Sequence, residues 1–335
     1  MLSLVVPVYR NEENLPRLLG ELALLEPQVQ DDLEVVFVVD GSPDGSLRFL
    51  QDHLPQWPVR TQLIELSRNF GSFAAVTAGF ARAEGEYIAV LAADLQEPPE
   101  LMLEFHRILK SGEADVVLGN RIGRADPWWS RMLSSSFWSL YRRFVLPDMP
   151  RGGIDVFGCT RQVRDHLVAL KEVHTNLIAL VLWLGFRRRF VAYERLPRRE
   201  GRSAWTLGRK LRYALDSVFS FTDLPVRALL FLGAAGMIFA VAAALTVLLM
   251  WAAGRIPVLG YTPLMLMITF FGGLSALGLG VIGQYVWLSL QNARGRPNLI
   301  VKSSRSFEPA GAAAADHQAS EASRPPRPIA ARNSS

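Results

Sequence analysis

One charged side chain, Arg255, interrupts the stretch from Ala228 to Ala293, which is otherwise uncharged. Each of the two blocks that it separates exceeds the roughly 20 residues that a membrane-spanning helix needs. Buried core helices are the alternative, but the length of both blocks favours a bilayer. The sequence therefore predicts a two-helix transmembrane hairpin within residues 226–293, with spans at about 228–253 and 264–288.

Positive charges flank this hairpin on both sides, whereas the loop between its helices contains only Arg255. The flanking charges are Arg209, Lys210, Arg212 and Arg227 before the first span, and Arg294, Arg296, Lys302 and Arg305 after the second. The positive-inside rule then places both termini in the cytoplasm. The opening MLSLVVPVYRNEEN lacks the pattern of a signal peptide. We expect a multi-pass protein of the inner (plasma) membrane with its soluble part in the cytoplasm.

The formal net charge of +5 does not indicate a nucleic-acid partner, because the basic residues lie mostly close to the predicted membrane region. Anionic or phosphorylated lipids fit this distribution better. Two segments, about 127–145 and 204–221, mix aromatic and basic residues, which is typical of helices in the bilayer interface. An ordinary core-facing helix is the alternative for each. Residues 294–335 are expected to form a basic, disordered cytoplasmic tail.

Residues 1–225 alternate apolar, strand-like runs with segments of helical spacing. Because the runs are almost continuously apolar, they predict a parallel sheet that is covered by helices on both faces. The fold class is therefore α/β. The predicted strands are Leu2–Val8, Leu33–Val39, Thr61–Leu66, Tyr87–Ala93 and Asp115–Leu118, and the predicted helices are Asn14–Leu25, Ser46–His53, Phe70–Ala83 and Pro99–Lys110.

Polar loops follow four of these strands, and ligands bind beyond the carboxyl ends of strands in such sheets. In DLQEPPE, after the fourth strand, Asp94 and Gln96 are separated by one residue, so in an extended chain their side chains point the same way. Oxygen ligands of this kind suit Mg²⁺, which substrate phosphates usually complete. Asp40 ends another strand on the same edge. Taken alone, each acid also fits a role as a helix cap or turn former.

The ordered motifs resemble those of a known family. VVPVYRNEEN, VVDGSPDGS, LSRNFGSFAAVTAGFARAEGEYIAVLAADLQEPPE and DVVLGNR are similar to family 2 glycosyltransferases with the GT-A fold. More narrowly, the chain resembles the polyprenyl-phosphate glycosyltransferases, relatives of dolichyl-phosphate mannose synthase and of bacterial undecaprenyl-phosphate sugar transferases. The resemblance covers about residues 1–300. It implies a GT-A domain over residues 1–225 with a mostly parallel, Rossmann-like sheet.

The resemblance also implies roles for individual residues. Pro7, Tyr9, Glu12 and Asp40 correspond to positions around the donor nucleoside, and Asp94 and Gln96 to those that hold Mg²⁺ or Mn²⁺ on the donor diphosphate. Arg121 corresponds to an arginine near the phosphates, and Asp155 to a residue near the reacting centre, so Asp94, Asp155 and Arg121 form the expected catalytic set. Arg121, Arg131, Ser135, Arg202 and Ser203 correspond to positions around the lipid phosphate.

Two positions depart from the family pattern. Ala92 replaces the first acid of the usual D-x-D motif, and Val39 stands before Asp40 where the family usually has a second acid. The change at position 92 would weaken contact to the donor ribose or sugar, or mark a different donor. It also leaves an inactive, membrane-tethered binding relative open as an alternative.

The function that the resemblance implies is inverting transfer of one sugar from a nucleotide sugar to a polyprenyl phosphate at the cytoplasmic membrane face. The base of the donor nucleotide is open between uracil and guanine, with UDP preferred. The transferred sugar, the final glycan and assembly into a homo-oligomer are also open. A processive polysaccharide synthase is a further alternative. Two spans make a poor channel, and the sequence lacks a Q-x-x-R-W signature.

Overall fold

The computed structural model describes residues 1–29, 32–122, 150, 153–170, 177–196, 224–253 and 261–309. Within these ranges the strands are β1 Leu2–Val8, β2 Leu33–Val39, β3 Arg60–Leu66, β4 Tyr87–Val90, β5 Val116–Ile122, β6 Ile154–Thr160, β7 Arg188–Glu194 and β8 Val301–Phe307. The helices are α1 Leu15–Leu25, α2 Ser46–His53, α3 Ser72–Phe80, α4 Glu100–Lys110, α5 Arg161–Ala169, α6 Leu177–Trp183, α7 Leu224–Ala252 and α8 Tyr261–Ala293.

All eight strands form one sheet in the order β7-β5-β6-β4-β1-β2-β3-β8. The pairs β1–β2, β1–β4, β2–β3 and β5–β7 are parallel. β6 is antiparallel to both β4 and β5, so these two strands run in the same direction. β1–β5 and β7 therefore share one direction, and only β6 and β8 oppose it. The sheet is mostly parallel, as predicted.

Helices cover both faces of this sheet because alternate residues of its strands point to opposite sides. Leu4, Val6 and Val8 of β1 belong to a core with α1 and α4, whereas Val5 belongs to a second core with α3, α5 and α6. The strands β1 and β2 are buried almost throughout. This burial explains their continuous apolar sequence.

The C-terminal strand β8 corrects the predicted disordered tail, since residues 301–307 pair antiparallel with β3. Lys302 Nζ lies 2.6 Å from Glu65 Oε1, and Ser303 Oγ donates to Glu65 Oε2 at 3.0 Å. The prediction failed because β8 is a mostly exposed edge strand, and its sequence VKSSRSF has almost no apolar signal. Residues 310–335 lie outside the described residues.

Strand β4 is also shorter than expected. It ends at Val90 rather than Ala93, because the chain turns at residues 92–95 with Leu95 N–H donating to the Ala92 carbonyl at 3.3 Å. β5, in contrast, continues to Ile122, past the predicted end at Leu118. These shifts move the polar residues of both strands relative to the sheet edge.

The long helices α7 and α8 comprise 29 and 33 residues. Among the described residues, one segment is long and apolar enough to cross a membrane, namely Phe270–Ala293 in α8, and only 6% of it is buried. The helices touch where small residues allow close approach: a Cβ on Gly236 would lie 3.1 Å from the Phe271 ring. The predicted interfacial helices, about 127–145 and 204–221, lie outside the described residues.

Candidate active site

The carboxyl ends of β1–β5 and β7 meet at one edge of the sheet, because these strands run in the same direction. β6 runs the opposite way, so its first residues, Ile154 and Asp155, lie at this edge too. We call this edge the polar rim. It brings together the loops that contain Tyr9, Asp40 and Asp94 and the strand ends that contain Arg121 and Asp155.

Hydrogen bonds join the loops after β1 and β2. The Glu12 carboxylate accepts the Gly45 N–H at 2.7 Å, and the Asp44 carboxylate accepts the Glu12 N–H at 3.2 Å. A Cβ on Gly45 would lie 2.4 Å from a Glu12 carboxylate oxygen, so a side chain at position 45 would displace the Glu12 carboxylate. Glu12 thus holds the two predicted nucleoside loops together.

Pro7 and Tyr9 occupy different places in the first of these loops. Pro7 belongs to β1 itself, opposite Val38 of β2, and is half-buried. Tyr9 follows the strand, and the Arg10 guanidinium lies 5.6 Å from the centre of its ring. Tyr9 is half-buried at the rim, where a planar base can reach it. Contact with the nucleoside stays a prediction for both residues.

Asp40 is buried, with 3% of its surface exposed. Its two carboxylate oxygens accept the main-chain N–H groups of Phe70 and Gly71 at 2.7 and 2.8 Å. Burial raises the pKa of Asp40 above its usual 3.8, against the lowering effect of these two hydrogen bonds and of Arg68. Asp40 therefore fixes the loop after β3, a structural role that the sequence offered only as the alternative.

Asp94 and Gln96 lie in a tight turn and not in an extended chain, so the expected strand geometry is wrong. Leu95 between them has a φ of 50°, which a side chain rarely adopts. The turn brings the Gln96 N–H to 3.4 Å from Asp94 Oδ1. The two residues therefore stay close through a turn and not through strand alternation.

Leu196, which follows Arg195 after the end of β7, orients the side-chain amide of Gln96. Its Nε2 donates to the Leu196 carbonyl at 3.3 Å, and the Leu196 N–H donates to the Gln96 carbonyl at 2.8 Å. A carbonyl only accepts, so the amide nitrogen must face Leu196 and Gln96 Oε1 faces away from it.

The donor set of this turn suits a hard divalent cation, since it offers a carboxylate and an amide oxygen. No group of three or more His, Cys, Asp or Glu side chains within the described ranges has the arrangement of a complete metal site. Two protein ligands fit a metal whose remaining ligands are phosphate oxygens and water. Mg²⁺ and Mn²⁺ meet this requirement.

Arg121, Asp155 and Tyr193 form a connected group on the other side of the rim. Arg121 Nη1 lies 3.2 Å from Asp155 Oδ2, and the Tyr193 hydroxyl donates to the same oxygen at 3.0 Å. Strand pairing sets this geometry, because Arg121 of β5 is opposite Tyr193 of β7. Burial and the negative charge of Asp155 raise the pKa of Tyr193, so the phenol stays protonated and donates.

Glu97 follows the turn that contains Asp94 and Gln96, and it is 1% exposed. Its Oε1 lies 3.5 Å from Arg195 Nε, and its Oε2 has no hydrogen-bond partner among the described residues. Burial raises the pKa of Glu97 to about 7, opposed by Arg195 and reinforced by the charges of Asp94 and Asp155. The turn and the end of β7 thus meet through one buried acid.

No role was predicted from the sequence for the end of β7, although Tyr193 contacts Asp155, Leu196 contacts Gln96, and Arg195 faces the neighbouring Glu97. A usable signal was present: RRFVAYE is strand-like, ends in Glu194 and is followed by Arg195, as the other rim strands are followed by polar loops. Arg131, Ser135, Arg202 and Ser203 lie outside the described residues, so their predicted contacts with a lipid phosphate stay predictions.

The two departures from the family pattern occupy different environments. Val39 is 1% exposed and packs in the core with α1 and α4, so position 39 contributes apolar contacts. Ala92 is half-buried in the turn before Asp94. The departure at position 92 therefore lies at the rim, where the donor site is predicted, and the departure at position 39 lies beneath it.

Comparisons with known proteins agree with this architecture. The model of the family described as "Glycosyl transferase family 2" matches residues 3–166. The uncharacterized glycosyltransferase sll0501 of Synechocystis is 31% identical over 300 residues, which cover 90% of this chain and 94% of the relative. The uncharacterized glycosyltransferase YkcC of Bacillus subtilis is 32% identical, over 91% and 94% of the two chains.

A relative with a named acceptor also matches nearly end to end. The SfII prophage-derived bactoprenol glucosyl transferase of Shigella flexneri is 29% identical over 314 residues, which cover 92% of this chain and 99% of the relative. With two relatives above 30% identity over almost their full length, the chain belongs to glycosyl transferase family 2 and has the GT-A-like α/β fold.

Proposed function

We propose that this protein transfers one sugar from a nucleotide sugar, with UDP as the preferred carrier, to a polyprenyl phosphate at the cytoplasmic face of the membrane. The relatives support this proposal because their names include a bactoprenol glucosyl transferase and an undecaprenyl-phosphate 4-deoxy-4-formamido-L-arabinose transferase. Each covers at least 90% of this chain, so the match includes the long C-terminal helices as well as the sheet.

The observation that best supports a membrane-bound acceptor is where the chain connects the sheet to the long helices. β7 ends at the polar rim before the chain continues to α7, and β8 begins at the rim after α8. The Ser67 N–H donates to the Ile300 carbonyl at 3.0 Å, which fixes the returning chain there. Both links between sheet and helices thus leave from the edge that holds the site.

The length of the returning link limits how far the site lies from the helices. Residues 294–300 separate the last residue of α8 from the first of β8. Even fully extended, eight Cα steps span at most about 29 Å. A membrane that contains α8 is therefore close to the polar rim, as a lipid-bound phosphate requires.

The same connection supports a two-span hairpin. If α8 crosses the bilayer, its first residue lies on the face opposite β8. Since β7 and β8 belong to one sheet, the chain must also cross between Glu194 and Tyr261, and α7 is the apolar helix in that interval. We propose that α7 and α8 both span the inner membrane and that the sheet lies in the cytoplasm.

The chemistry requires positioning more than proton transfer. A phosphate monoester is an anion at neutral pH, so its oxygen can attack the anomeric carbon without a strong base. The new bond to the phosphate oxygen forms as the bond to the nucleoside diphosphate breaks, and the configuration inverts. Arg121 is suited to hold phosphate oxygens, because a guanidinium offers paired donors.

Asp155 has a positioning role in this scheme. Its carboxylate accepts from Arg121 and Tyr193 through the same oxygen, which orients the guanidinium at the rim. Asp94 and Gln96 would hold Mg²⁺ or Mn²⁺. When bound, the metal would supply positive charge next to the leaving diphosphate.

The proposal is tested in membranes that contain the full chain, with undecaprenyl phosphate, Mg²⁺ or Mn²⁺, and a panel of UDP- and GDP-sugars. We expect one donor to place its sugar in the lipid phase, and Asp94→Asn to reduce this transfer by about 100-fold or more. Folded protein that transfers no sugar from any donor would contradict the proposal and favour a binding-only relative. Chains of several sugars on the lipid would instead indicate a processive synthase.

A further inference from the structure

The turn that contains Asp94 and Gln96 is anchored to the end of β7 by more than one contact. The main chains of Gln96 and Leu196 share one hydrogen bond at 2.8 Å, and the Gln96 side chain adds a second at 3.3 Å. Directly after Gln96, Glu97 faces Arg195 at 3.5 Å. Neighbouring residues of the two segments are therefore paired both along the backbone and through their side chains.

The Glu97–Arg195 pair is unusual among the ion pairs of the described residues because its acid is 1% exposed. Burying a carboxylate is costly unless a charge partner and hydrogen bonds compensate it. Arg195 is 32% exposed and is the cation that faces this acid. A surface ion pair could be lost at little cost, but separating this one would leave a buried carboxyl without the cation that faces it.

These contacts affect the geometry of Asp94 and Gln96, the predicted metal ligands. The Leu95 backbone is in a strained region, so the turn needs outside contacts to keep its shape. Gln96 presents Oε1 away from Leu196 only while Leu196 stays in place. Arg195 is the residue next to Leu196, and its link to Glu97 holds that segment against the turn.

We propose that Glu97 and Arg195 are a positioning pair that sets metal-dependent donor binding, by holding the Asp94–Gln96 turn against the end of β7. This inference rests on the proposed metal-assisted function. Neither side chain needs to touch the metal or the donor. Residues that orient metal ligands from behind typically change metal affinity or activity by about 10–100-fold when they are altered.

The test is calorimetric titration of the full chain, in detergent or nanodiscs, with UDP and in parallel GDP, each with Mn²⁺ and with EDTA. Glu97→Gln and Arg195→Met are each expected to weaken the Mn²⁺-dependent affinity by about 10-fold or more, and to leave the affinity in EDTA unchanged. The double variant is expected to be no weaker than the worse single variant, because both remove one interaction.

The matched controls are Glu104→Gln and Arg107→Met. These residues form an exposed carboxylate–guanidinium pair at 2.7 Å on α4, and neither change should alter Mn²⁺-dependent binding. If Glu97→Gln fails to fold, Arg195→Met decides the question, since Arg195 is partly exposed.

Two results would overturn the inference. Lowered melting temperatures with unchanged Mn²⁺-dependent affinity would make the pair structural only, and additive losses in the double variant would show that the two residues act separately. If the unaltered protein binds neither nucleotide more tightly with Mn²⁺, the proposed metal site fails, and the inference fails with it.

Discussion

Replacement of Asp40 by alanine separates a structural role from a role in donor binding. The carboxylate is buried and accepts two main-chain N–H groups, from Phe70 and Gly71. A hydrogen bond to a charged group contributes about 1.5–3 kcal/mol, so both together contribute about 3–6 kcal/mol. Because Phe70 and Gly71 are half-buried, water will replace part of this interaction. We expect Asp40→Ala to lower stability by about 2–4 kcal/mol.

The assay is thermal unfolding of the detergent-solubilised full chain, followed by tryptophan fluorescence. For a domain of this size, the loss corresponds to a decrease in Tm of about 4–16 °C. Asp52→Ala is the matched control, since Asp52 is exposed on α2 and its ion pair with Arg48 is long, at 3.8 Å. An unchanged Tm for Asp40→Ala, together with weaker UDP binding, would refute the structural reasoning and favour direct contact with the nucleoside.

The pH dependence of this effect has a definite sign. Burial raises the pKa of Asp40, so the folded chain binds its proton more tightly than the unfolded chain does. Stability from Asp40 is therefore greatest below the unfolded value of 3.8 and decreases as the pH rises through the raised pKa. The difference in Tm between Asp40→Ala and the unaltered protein should be wider just below pH 3.8 than at neutral pH.

Three further predictions concern residues outside the turn that contains Asp94 and Gln96. Cys159 is fully buried and its thiol pKa is raised by burial, so a maleimide should label it only after unfolding. Gly45→Ala should displace the Glu12 carboxylate and lower the Tm by about 2–4 °C, whereas Gly20→Ala, in open space on α1, should not lower it. Ending the chain after Pro309 should leave the Tm unchanged, but ending it after Asn298 should lower it, because β8 is then lost.

Each of these predictions has a contrary outcome. Rapid labelling of Cys159 in the native protein would show that the core around β6 opens. Equal effects of Gly45→Ala and Gly20→Ala would show that the Glu12 contact is dispensable. A truncation after Asn298 with unchanged Tm would show that β3 needs no partner at its outer edge.

The parallel part of the sheet was predictable because its strands are buried on both faces. Runs such as LSLVVPV and LEVVFVV are apolar without alternation, and each ends in polar residues at the rim. The positions of Asp40, Asp94 and Arg121 near one edge follow from that pattern alone. Asp155 reaches the same edge on a strand of opposite direction, which the apolar pattern did not indicate. The resemblance implied only that Asp155 is near the reacting centre.

The remaining features depend on contacts that no local pattern encodes. β8 is polar and pairs with a strand far away in the sequence, so neither hydrophobicity nor a short turn announces it. The turn at Leu95 uses a positive φ without glycine, which composition does not signal. Glu97 follows β4 and Arg195 follows β7, two strands that β5 and β6 separate in the sheet, so their pairing depends on a strand order that the whole fold sets.

Strand β8 has a consequence for how the protein is made. Lys302 and Glu65 are 237 residues apart in the chain, and α7 and α8 lie between them. The ribosome therefore releases the last strand of the sheet only after both long helices have been synthesised. Until then the edge of β3 lacks its partner, and an open edge readily pairs with other chains. We expect delayed membrane insertion of the helices to cause aggregation through β3, so that completion of the soluble domain depends on prior integration of its anchor.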